Sequence, residues 1–170
     1  VSKASNRILI FGGTGSLGQA LIRRLGNDNE LFLFSRDEAK HWTIKNKLKK
    51  NQNVSFIVGD IRDKDRVLSS IIQTRPNIII IASALKQIDT CEIAPFESVQ
   101  TNIIGIQNVV KSVVDNCEKL SELKSVLLVS TDKACAPTNV YGMCKSISER
   151  IITSAELYLS GPKFVGVRYG

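Results

Sequence analysis

The sequence predicts a doubly wound α/β domain, a parallel sheet with helices on both faces. Three observations lead there. Apolar runs of strand length recur along the chain, and most are continuous rather than alternating, as in strands covered on both faces. Helical stretches separate them, and a glycine-rich turn follows the first run directly. Finally, 170 residues suffice for one buried core, and 43% apolar with 23% charged residues excludes a disordered or low-complexity chain.

The elements follow in order. "RILIF" (7–11) is the first strand, and "GGTGSLG" turns the chain into a helix over 16–25. "LFLF" (31–34) precedes a helix over 37–49, and "VSFIV" (54–58) precedes one over 64–73. "IIIIA" (78–82) leads to a long helix over 95–116, with Pro95 in the first turn, where its missing N–H costs nothing. "SVLLVS" (125–130), a helix over 140–159 and "FVGVR" (164–168) complete the alternation, which right-handed crossovers wind into one sheet. No repeat or linker divides it, so residues 1–170 are expected to form a single domain. The last segment, "FVGVRYG", stops just past a strand at the edge where such sheets bind ligands, so a further C-terminal region is expected beyond it.

In "GGTGSLG", Gly12, Gly15 and Gly18 fall between a strand and a helix, with Thr14, Ser16 and Leu17 among them. Glycines permit a tight turn and close approach of backbone to a pyrophosphate, and the helix N-terminus supplies free N–H groups. This is the dinucleotide-binding context of a Rossmann-type domain. The second strand ends "FSRDE". Ser35 and Arg36 suit the 2′-phosphate of NADP, with Lys40 beside it, whereas Asp37 offers the ribose acceptor that NAD uses; NADP is the expected cofactor. Asp60 and Ile61 in "GDIRD" are expected at the adenine.

The formal charge of +7 suits an anionic partner, whether nucleic acid, membrane surface or phosphorylated small molecule. The densest basic run, "KNKLKK" from Lys45 to Lys50, is expected on a helix as a solvated face. It lacks the interleaved aromatics of single-strand binders, so no nucleic-acid partner is expected. The longest apolar run, 78–85, is far below the roughly 20 residues of a membrane span, and no leader-like hydrophobic segment opens the chain. A cytoplasmic protein without a membrane partner is expected. The four cysteines lack a CxxC spacing and His41 is the one histidine, so no metal site is expected.

Tyr141 and Lys145 are spaced i, i+4 and share a helix face. An ammonium and a cationic nicotinamide near a phenol favour the phenolate, making a general base. Together with the glycine turn, this pair resembles the short-chain dehydrogenase/reductase family. The stretches "GGTGSLG", "FSRDE", "GDIRD", "SALKQ", "TNIIGIQNV", "STDKA", "NVYGMCK" and "VRYG" resemble its extended members, in particular the inverting UDP-N-acetylglucosamine 4,6-dehydratases (5-epimerases) of polysaccharide biosynthesis.

That resemblance implies an NADP-dependent nucleotide-sugar enzyme acting on a UDP-sugar, expected as a homo-oligomer. Tyr141 would take the 4-hydroxyl proton as hydride leaves C4. Lys133 would remove the C5 proton, Asp132 would protonate the departing 6-hydroxyl, and hydride would return to C6. Thr131 would bind the sugar or its 4-oxygen, and Lys145 the nicotinamide ribose. Ala82, Ser83 and Ala84 would border the cofactor, with Lys86 reaching the nicotinamide or sugar. Asn102 would help to position the active-site backbone. Lys133 carries the resemblance furthest, because C5-retaining relatives have glutamate there and 4-epimerases have neither acid nor base. The alternatives are a nucleotide-sugar 4-epimerase or reductase, and a catalytically silent dinucleotide-binding module. Adjacent strand residues face opposite ways, so Asp132 and Lys133 can serve one sugar only if the fifth strand ends by about Thr131.

Overall fold

A computed structural model describes residues 5–159 and 161–170. Its sheet is parallel throughout, with strands β1 (Arg7–Phe11), β2 (Glu30–Ser35), β3 (Val54–Val58), β4 (Ile78–Ile81), β5 (Ser125–Thr131) and β6 (Lys163–Tyr169) in the order β3-β2-β1-β4-β5-β6. Side chains alternate between two buried layers. Ile8, Ile10, Leu31, Leu33 and Ile80 pack on one face against α1 (Ser16–Leu25) and α2 (Glu38–Lys45). Leu9, Phe11, Phe34, Ile79, Ile81 and Leu128 pack on the other, against α3 (Lys64–Thr74), α6 (Gly105–Val114) and α7 (Val140–Ser154). Hence the strands carry unbroken apolar runs: both sides of each central strand are dry. Fully burying each such side chain contributes roughly 1.5–3 kcal/mol.

Several elements depart from the expected bounds. α2 ends at Lys45, so most of the basic run lies in turns rather than on a helix. Lysines at i, i+4 repel and Asn46 stops the helix without a strong cap. The expected helix over 95–116 is three pieces: α5 (Pro95–Val99), a π-helical stretch (Gln100–Ile104) and α6. α4 (Ile88–Ile93) precedes them and was not predicted, being too short for a periodic signal. α7 stops at Ser154, where Thr153 and Ser154 hydroxyls donate back to the carbonyls of Glu149 and Ile151. β5 ends at Thr131 as required, and Asp132–Ala134 form a single tight 3₁₀ turn.

Candidate active site

β1 and β4 are neighbours, and the chain turns to one face after β1 and to the other after β4. This is the switch point at which open α/β sheets bind ligands, and a cleft of about 350 Å³ opens there.

Gly12, Thr14, Gly15, Ser16 and Leu17 line the cleft. Gly12 has φ +81, and a Cβ there would lie 2.6 Å from the Ser83 amide nitrogen, so the loops after β1 and β4 touch through it. Gly18 does not line the cleft. It packs instead on the loop's own backbone, where a Cβ would meet the Gly13 carbonyl oxygen at 2.0 Å. α1 is preceded by Gly15 at its N-cap, with no side-chain cap and no acid in its first turn. Among the described residues its N-terminal N–H groups therefore have no carboxylate to satisfy them, the arrangement that suits a pyrophosphate.

At the end of β2 the cleft is lined by Ser35, Arg36, Asp37 and Lys40, faced by Asp60 and Ile61. Asp37 caps α2: its Oδ1 accepts the Lys40 N–H at 2.9 Å and its Oδ2 pairs with Lys40 Nζ at 2.9 Å. The Lys40 amide, then its ammonium, hold this carboxyl below its usual range. Arg36 Nη1 stands 3.6 Å from Asp60 Oδ2, an oxygen that Arg62 also grips at 2.7 Å. Both cations in the cleft wall at this end thus have carboxylate partners.

Ala82, Ser83, Ala84 and Lys86 follow β4 along the cleft. The buried side chain of Asn102, in the π-helical stretch, holds this segment: it accepts the Leu85 N–H and donates to the Leu85 carbonyl, each at 2.8 Å. Ser148 of α7 donates in turn to the Asn102 carbonyl. A π-bulge that frees a backbone carbonyl beside a cleft is a recurrent functional device.

Tyr141 and Lys145 line the cleft from α7, whose N-cap Asn139 accepts the Gly142 N–H at 2.8 Å. Tyr141 is half-buried, and burial pushes its hydroxyl above its ordinary value, with the neighbouring Thr131 hydroxyl acting the other way. Lys145 is 2% exposed and donates to the Val129 carbonyl at 2.5 Å. Burial pushes its pKa down to about 8, with Glu149 acting the other way. The expected lowering of the phenol by its lysine is thus not the dominant effect; desolvation of both groups is.

Thr131 is buried and sits beside Tyr141, though not on the cleft wall. Asp132 and Lys133 are also off that wall. They pair with each other, Nζ to Oδ1 at 3.2 Å, with side chains 60% and 44% exposed. Asp132 also accepts from the Thr131 hydroxyl at 2.8 Å, and that bond, then Lys133, holds its carboxyl low.

Six residues of the cleft wall were not singled out from the sequence: Phe34, Gly59, Thr101, Val129, Ser130 and Tyr169. Most stand at or just past strand ends, and five of them, all but Val129, lie inside the stretches "FSRDE", "GDIRD", "TNIIGIQNV", "STDKA" and "VRYG". Only the strand order shows that these ends meet.

A family model described as "Polysaccharide biosynthesis protein" matches residues 8–170. An uncharacterised membrane protein of Methanocaldococcus jannaschii is 35% identical over 167 residues, covering 96% of this chain and 48% of that protein. The inverting UDP-N-acetylglucosamine 4,6-dehydratase of Campylobacter jejuni is 35% identical over 169 residues, and the UDP-glucose 4-epimerase of Rickettsia rickettsii 34% over 171, with the same coverages. The chain therefore spans about half the length of the curated relatives it matches. Among the described residues no helix is long and apolar enough to cross a membrane.

Among solved structures, Pen from Bacillus thuringiensis superposes with a TM-score of 0.89 at 34% identity, over 100% of this chain and 51% of that one. The UDP-glucose 4-epimerase of Brucella ovis, in complex with NAD, gives 0.78 at 20% identity, over 97% and 52%. The Thermus thermophilus epimerase and Bordetella bronchiseptica WbmG and WbmF are likewise NAD complexes. The expectation of NADP is corrected accordingly. The local reason is that Arg36 and Lys40 are matched by Asp60 and Asp37, so a 2′-phosphate would meet two carboxylates. By its match over nearly the whole sequence, the chain belongs to the polysaccharide biosynthesis protein family, with the Rossmann fold of extended short-chain dehydrogenases, a family whose relatives above include a nucleotide-sugar epimerase and a nucleotide-sugar dehydratase.

Proposed function

We propose that this chain carries the dinucleotide-binding and proton-transferring part of an NAD-dependent enzyme that transiently oxidises C4 of a UDP-sugar, working as a 4-epimerase. One observation carries this reading: Tyr141, beside the buried Thr131 and one turn before the buried Lys145, shares a cleft with the uncapped N-terminus of α1.

Bound NAD supplies the hydride acceptor and donor. Gly12, Gly15 and the first turn of α1 hold the pyrophosphate; Ser35 and the adjoining loop take the adenosine ribose, Asp60 and Ile61 the adenine. Ala82, Ser83, Ala84 and Lys86 flank the nicotinamide end. Tyr141 Oη removes and restores the proton of the 4-hydroxyl, Thr131 orients that oxygen, and Lys145 stabilises the phenolate while it exists. Asp132 and Lys133 pair with each other outside the cleft wall, which supports a reading in which neither serves an elimination.

A second reading, 4,6-dehydration with inversion at C5, is favoured by the Thr131-Asp132-Lys133 run immediately before the Tyr141 helix. The test is incubation of the NAD-loaded protein with UDP-glucose and with UDP-N-acetylglucosamine in deuterated water, followed by proton NMR. A C4 epimer, lost by about 100-fold or more in Tyr141→Phe and retained in Lys133→Ala, supports the epimerase. A 4-keto-6-deoxy sugar deuterated at C5, dependent on Lys133, replaces it with the dehydratase. Tight NAD binding without turnover leaves a silent binding module.

A further inference from the structure

His41, the only histidine of the chain, lies 5% exposed on α2, beside the cleft but outside its wall. Its Nε2 is 2.8 Å from Ser35 Oγ, its ring packs tilted against Phe56 with centroids 5.2 Å apart, and its Nδ1 is buried with no partner among the described residues. Ser35 Oγ also receives the Thr14 hydroxyl at 3.2 Å, so a polar chain runs from the glycine loop through Ser35 to His41.

The orphan Nδ1 fixes the protons along this chain. A buried N–H without an acceptor costs more than a buried lone pair without a donor. The ring proton therefore belongs on Nε2, pointing at Ser35 Oγ. With its oxygen accepting from both His41 and Thr14, Ser35 keeps its own proton as the one group left to offer, and Ser35 lines the cleft at the end of β2. The acid that could bind a ribose hydroxyl at this edge, Asp37, is taken up by Lys40.

Resting on the dinucleotide assignment above, we propose that His41 is a positioning residue that holds Ser35 as a hydrogen-bond donor to the 2′-hydroxyl of the adenosine ribose. It touches neither cofactor nor sugar. It acts by occupying the serine oxygen so that the hydroxyl proton faces the cleft.

Two measurements on the protein test this. Since the chain has one histidine, nitrogen-15 NMR of the imidazole reports a single ring, and the Nε2–H tautomer is expected; the Nδ1–H tautomer would overturn the proposal without any mutation. Direct titration then compares NAD with its 2′-deoxyadenosine analogue. The wild type is expected to favour NAD about fivefold, the size of one net hydrogen bond. His41→Phe, which keeps the contact with Phe56, should bring the ratio near one. Ser35→Ala should do the same, and the double variant should fall no further. His41→Gln, whose amide can still donate to Ser35, should restore part of the preference. A preference undiminished in His41→Phe overturns the His41 role and leaves the NAD reading standing. A wild-type protein that does not bind NAD overturns both.

Discussion

Lys145 is the residue on which burial and chemistry pull hardest against each other. An ordinary lysine titrates near 10.5, and desolvation takes this one to about 8. The folded-state value is the lower one. Between pH 8 and 10.5 the unfolded chain holds a proton that the folded chain has released, so stability rises with pH across that window. Below pH 8 both states are charged, and the buried ammonium costs the fold about 3 kcal/mol. Denaturant unfolding of the NAD-free protein against Lys145→Met should show the wild type gaining on the variant as pH rises from 8 to 10; a constant difference would mean that the burial carries no such cost. The Tyr141 and Lys145 pair was visible in the sequence because helical spacing alone places both on one face. The location of Asp132 and Lys133 was not, because one turn of 3₁₀ helix decides which way two consecutive side chains leave a strand end.

At the scale of elements, the π-helical stretch between α5 and α6 is what the local sequence concealed. "QTNII" carries no breaker, and its extra residue per turn arises where Asn102 reaches across to Leu85 and Ser148 reaches back to the Asn102 carbonyl. Asn102→Ala would leave the Leu85 N–H without a partner and its carbonyl with only the Cys91 thiol, at 3.6 Å, in a half-buried segment. It is expected to cost about 3 kcal/mol in denaturant unfolding and to loosen the segment from Ala82 to Lys86. A loss below about 0.5 kcal/mol would show that the bridge is not holding that loop. Asn102→Asp should cost at least as much, since it sets a buried carboxylate against the Leu85 carbonyl.

For the whole molecule, the sheet order puts β1 and β4 at the centre and β3 and β6 at the edges. β6 buries only Phe164, whereas all four residues of β1 from Ile8 to Phe11 are buried. Hydrogen exchange should therefore find β1 and β4 most protected, near the global stability, and the outer amides of β6 exchanging by local opening. Equal protection of β6 and β1 would show the domain opening only as a unit. The sequence by itself determined the strands, most of the helices, the glycine turn and the doubly wound class, because period, turn chemistry and two-sided burial are written in neighbouring residues. Most of the cleft residues were legible for the same reason: they follow strand ends. Tertiary structure alone decided that the Gly12 and Ser83 loops touch, that carboxylates match Arg36 and Lys40, that Asp132 and Lys133 pair outside the wall, and that His41 stands behind Ser35. Each is a contact between side chains or loops whose partners depend on packing, burial and strand order, and neither periodicity nor propensity specifies such pairings.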